Sequence, residues 1–82
     1  MAPLTDDQKE QKALNIIKGL ELDNDLNNLN EKIDDLFADA PIEVADSISK
    51  DELQTLITEI NAGTNDNNKI SRFLEIANSL GI

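Results

Sequence analysis

Carboxylates are the side chains from which this sequence would have to make any chemistry. It holds 17 Asp and Glu against 7 Lys and Arg, a net charge of −10, with neither cysteine nor histidine. That excludes a disulfide framework, a thiolate metal site and an imidazole base. A nucleophilic mechanism would need Ser or Thr beside a lysine base, and the lysines and hydroxyl residues lie scattered with no motif around them. A paired-carboxylate hydrolase needs two acids held in a cleft with aromatic platforms, and Phe37 and Phe73 are the only aromatics. The expectation is a protein without catalysis, metal or cofactor.

Two oxygen-rich stretches can be tested against a calcium loop. Ile48 followed by Glu52 imitates the end of an EF-hand, but the count back puts Pro41 at the first ligand, Ala45 at the fifth and Asp46 at the turn glycine. The run Asn65-Asp66-Asn67-Asn68 has Leu74 where the closing glutamate belongs. Both read as polar loops ahead of capped helices.

The apolar residues set out helices to position these groups. Thr5 with Gln8 fits a capping box, Asp6 and Asp7 suit the positive helix end, and Ala13, Ile16, Ile17 and Leu20 fall at helical spacing. Gly19 reads as the residue just past that helix. Leu22, Leu26, Leu29, Ile33, Leu36 and Ala40 then keep a heptad rhythm, the pattern of a coiled-coil dimer or of an intramolecular bundle. The bundle is the preferred reading, with a homodimer through Leu22, Leu26, Leu29, Ile33 and Leu36 as the alternative.

Pro41 ends the second helix and permits one short turn over Pro41 to Asp46, with Ile42 and Val44 or Ala45 turned to the core. Ser49 with Glu52 makes another capping box ahead of Leu53, Leu56, Ile57 and Ile60. Gly63 to Asn68 is loop by composition. Ile70, Phe73, Leu74, Ala77 and Leu80 form the last apolar face, closed by Gly81 and Ile82. The spacing therefore predicts one all-α domain over 1–82, a small four-helix bundle with helices at roughly 5–18, 22–39, 49–61 and 69–80.

Within the junction, Asp46-Ser47-Ile48 resembles the Asp-Ser-Leu signature of acyl and peptidyl carrier proteins, which are acidic four-helix domains. The resemblance implies that Ser47 bears a phosphopantetheine arm at the start of a long helix whose acidic face docks on basic patches of partner enzymes. Glu52-Leu53 with Ile57 resembles that recognition helix, and Lys69-Ile70-Ser71 into Phe73 resembles the entry to the last one. The chain departs from the family at Asp51 and Val44, in the short interval from Asn61 to Ile70, and in the heptad segment. An ordinary serine ahead of the Ser49 cap is the preferred reading, with the carrier as the alternative.

The charge balance points to a partner. So negative a chain repels nucleic-acid phosphates and anionic membrane surfaces, no apolar run approaches a membrane span, and Met1 to Asp7 lacks the pattern of a secretory signal. The expected location is cytoplasmic. Glu31, Asp34, Asp35, Asp39 and Glu43 cluster at the end of the second helix and the junction. Like charges three or four apart on a helix cost about 0.2–0.5 kcal/mol per pair. The expected function is an acidic protein-binding module, an inhibitor, immunity or adaptor protein acting on a basic partner surface through those five residues.

Overall fold

The computed structural model describes residues 4–82 and is built of five helices, α1 (Asp6–Gly19), α2 (Leu29–Asp39), α3 (Ile42–Ser47), α4 (Lys50–Asn61) and α5 (Asn67–Leu80). The all-α class and the small helical bundle are as the sequence predicts. The fifth helix is the short α3, one residue later than the turn expected over Pro41 to Asp46.

α5 sits at the centre, packed on α4 and α1, with α3 also against it, while α2 lies chiefly against α4. The core unites Ala13 and Ile17 of α1, Leu29, Ile33 and Phe37 of α2, Leu53, Leu56, Ile57 and Ile60 of α4, and Ile70, Phe73, Ile76 and Ala77 of α5. No polar or charged side chain is buried among the described residues, so apolar area drives the fold, at about 1.5–3 kcal/mol per large buried side chain. The radius of gyration, 12.3 Å, is near the roughly 12 Å of a folded chain this long.

Three helix starts carry side-chain caps. At α1 the capping box is complete: the Thr5 hydroxyl accepts from the Gln8 amide and the Thr5 amide donates to the Gln8 side chain. At α4 Ser49 Oγ accepts from the Glu52 amide, but the box is half-formed, because the Glu52 carboxylate is turned to Arg72 instead. At α5 the Asp66 carboxylate accepts from the amides of Asn68 and Lys69. That cap starts α5 at Asn67, so the expected loop yields its last two residues to the helix. Gly63 (φ 100°) and Gly81 (φ 78°) end α4 and α5 in left-handed conformation. The amides of Thr64 and Ile82 there reach back to the carbonyls of Glu59 and Ala77, the Schellman pattern.

The first connection departs from expectation. α1 runs through Gly19, and the left-handed residue beyond it is Glu21 (φ 54°). The second helix starts at Leu29 rather than Leu22. Between them the chain turns, with Leu26 also left-handed (φ 57°). The physical reason lies in Asp23, Asn24, Asp25, Asn27 and Asn28, poor helix formers whose side chains offer the backbone other partners. Asn28 does so twice, accepting from the Asp23 amide at 2.8 Å and donating to the Glu21 carbonyl at 3.2 Å. A left-handed L-residue costs roughly 1–2 kcal/mol. Leu29 and Ile33 of the heptad seam are buried within the chain and Leu22 and Leu26 pack half-buried on the same core. At the end of α2, however, the buried residue is Phe37, with the expected Leu36 and Ala40 only half-buried.

Ile42 does not reach the core. It is 78% exposed, and α3 turns half-buried Val44 and Ala45 inward, followed by Ile48. The helical period explains this: Val44, Ala45 and Ile48 share one side, while Ile42, Glu43, Asp46 and Ser47 share the other. On α5 the structure adds Ile76 to the buried face, which the sequence pattern missed because Leu74 and Leu80 stood at equally acceptable spacing.

Candidate functional site

The acidic surface is built on α2 and the start of α3. α2 holds its core face with Leu29, Ile33 and Phe37, and the same periodicity sends Glu31, Asp34, Asp35 and Asp39 outward. All four are exposed, as is Glu43 in the first turn of α3. The structure thus keeps the five sequence-predicted residues in solvent on consecutive elements. Their electrostatic settings differ. Asp34 Oδ1 meets Lys50 Nζ at 3.0 Å, and the same ammonium stands 5.4 Å over the centre of the Phe37 ring. Lys50, absent from the sequence-level site, pins the start of α4 to α2 and neutralises one of the five. Glu31, Asp35, Asp39 and Glu43 have no ion-pair partner among the described residues.

Asp39 closes α2, whose last turn carries no basic residue. Carboxylates at a helix C-terminus oppose the macrodipole, an effect of about 0.3–1 kcal/mol, so their placement works against local stability. Beside them stands Ile42, the most exposed of the large apolar residues described, bracketed in sequence by Asp39, Glu43 and Asp46. The result is an apolar knob among carboxylates. A readable signal existed for it: Ile42 lies four residues before Asp46, on the polar side of α3.

Ser47 is the last residue of α3. It is exposed, and its hydroxyl donates to the Val44 carbonyl at 2.8 Å. The helix that follows begins at Lys50 with Ser49 as its cap. The start-of-helix position implied by the carrier resemblance therefore belongs to Ser49.

The other charged clusters are structural ties. Arg72 donates from Nε and Nη2 to Glu52 Oε1 at 3.1 and 2.9 Å, and from Nη1 to Glu75 at 3.3 Å. Its hydrogen bonds to Glu52 are the first cause that raises the guanidinium above its ordinary value. Lys69 Nζ stands 2.7 Å from Glu59 Oε2, a close ion pair without the alignment of a hydrogen bond. That short contact with Glu59 chiefly raises the Lys69 ammonium above the ordinary lysine value, desolvation opposing it and the charges of Glu59 and Asp66 adding to it. No three metal-ligating side chains converge among the described residues, and no helix there is long and apolar enough to cross a membrane.

No protein-family model matches the chain, and no curated protein or solved structure is significantly similar to it.

Proposed function

We propose that this chain is a small acidic protein-binding module, an inhibitor, immunity or adaptor protein that docks on a basic partner surface without catalysis. The single observation behind this reading is the exposed Ile42 set among the unpaired carboxylates of Asp39 and Glu43, with Asp35 and Glu31 continuing the charge along α2. An apolar centre with a polar rim is the anatomy of a protein interface. The matching partner carries an apolar pocket ringed by Arg or Lys. The rim charges steer the encounter and reject acidic competitors.

The experiment has two stages. A photo-crosslinking residue at position 42 captures and identifies the partner from cells. The purified pair is then titrated with the wild-type chain and with a triple reversal, Asp35→Lys, Asp39→Lys and Glu43→Lys. The reversal weakens binding by about tenfold or more at physiological salt, and the wild-type affinity falls as salt rises. Equal affinity of the two chains, or affinity indifferent to salt, overturns the reading.

A further inference from the structure

The connection between α1 and α2 is the place where sequence pattern and conformation disagree. Leu22, Leu26 and Leu29 stand at helical spacing and extend the α2 seam backwards, yet Glu21 and Leu26 are left-handed. They are the non-glycine residues with positive φ among the described chain. Asn28 closes the turn through its bonds to Asp23 and Glu21, and α2 receives no side-chain cap. α1 is held to the rest by apolar packing on α4 and α5, and no ion pair among the described residues includes it.

We propose that Leu20–Asn28 is a hinge for domain exchange, and that two copies of this chain form a dimer by trading α1. In the open form the hinge straightens into helix from Leu20 through Asn28, joining α1 to α2, and α1 lies on α4 and α5 of the other copy. Ala13 and Ile17 meet the same neighbours as before, so core burial is conserved while both left-handed residues return to helical dihedrals. The Asn and Asp residues of the hinge act the other way, since they are poor helix formers. Their opposition makes the closed monomer the resting form in dilute solution, and mass action favours the exchanged dimer as concentration rises. Exchange places two acidic faces on one particle, which raises avidity for any partner with repeated basic sites.

The test uses the whole chain. It is unfolded, refolded from micromolar to millimolar concentration, and weighed by sedimentation equilibrium. The wild type yields a dimer with undiminished helical circular dichroism. In a dimer refolded from mixed labelled and unlabelled chains, isotope-filtered NOEs link the Ala13 and Ile17 methyls of one copy to α4 or α5 methyls of the other. Glu21→Gly, which removes strain only from the closed form, lowers the association constant about tenfold. Asn28→Ala, which unties the closed turn and favours helix, raises it. A wild type and an Asn28→Ala variant that stay monomeric throughout overturn the proposal. So does a dimer whose contacts between α1 and α4 or α5 are all intramolecular, or a Glu21→Gly variant that associates as strongly as the wild type.

Discussion

Asn- and Asp-rich turns join both α4 to α5 and α1 to α2, and the helix ends at the two turns are closed in opposite ways. α4 and α5 each start at a side-chain cap and end at a left-handed glycine. Two ion pairs from α5 reach across to α4, and both helices bury four residues each. The α1–α2 connection has left-handed Glu21 and Leu26 where glycine would sit without strain, and an uncapped α2 after it. The lesson is that a helix hairpin is secured by its ends as much as by its seam. Where cap, stop and core agree, the pair is rigid. Where they disagree, the chain keeps a second conformation within reach.

The largest effect that can break this comparison is in the core. Phe73 of α5 is fully buried, while Phe37 of α2 is 8% exposed and partly roofed by Lys50. Phe73→Ala should cost about 3–5 kcal/mol in urea unfolding, enough to unfold much of the population of so small a domain. Phe37→Ala should cost clearly less, since its site opens to solvent and can relax. Equal losses at the two positions would mean that α2 is as firmly built in as α5.

The next effect sharpens the contrast at the helix ends. Glu21 is exposed and left-handed, so Glu21→Gly removes strain without removing packing. Stability should rise by about 1 kcal/mol, read as a higher urea midpoint at unchanged slope. Asp39 is a smaller case at the other end of α2. Asp39→Lys should stabilise by about 0.3–1 kcal/mol by reversing an unfavourable charge at the helix C-terminus. The same change should weaken partner binding, which would show that the residue is kept for docking rather than for folding.

The two regions also differ in how far the sequence disclosed them. α4 was legible nearly to the residue, because its Ser49 start, its apolar stripe and Gly63 stop all gave the same answer. The acids were legible too, since exposure of Glu31, Asp34, Asp35 and Asp39 follows from the burial of Leu29 and Ile33 on the opposite face, although the seam pointed to Leu36 and Ala40 where the structure buries Phe37. The start of α2 was not. There the leucine spacing argued for helix from Leu22, and the propensity of Asp23, Asn24, Asp25 and Asn27 argued against it. Two side-chain bonds from Asn28 decided the contest, and such bonds leave no periodic trace. Glu52 was misjudged for a related reason. Its spacing from Ser49 is that of a capping box, but Arg72, 20 residues away in sequence, offers two hydrogen bonds from a cation, where the Ser49 amide offers one from a neutral group.

The smallest effect tests the ties between α4 and α5 by pH. Lys69 is raised above the ordinary lysine value, first by its contact with Glu59. A cation whose folded-state value is raised contributes stability that is complete below its unfolded value, about 10.4. That contribution disappears as pH climbs through the higher folded value. The difference in stability between the wild type and Lys69→Met should therefore stay level from neutral pH to about 10 and shrink only beyond that. The group is largely in water, so the difference is small and falls with added salt. A difference that had already shrunk at pH 8 to 9 would show that Lys69 gains nothing from Glu59, and that α5 is held to α4 at this end by apolar packing alone.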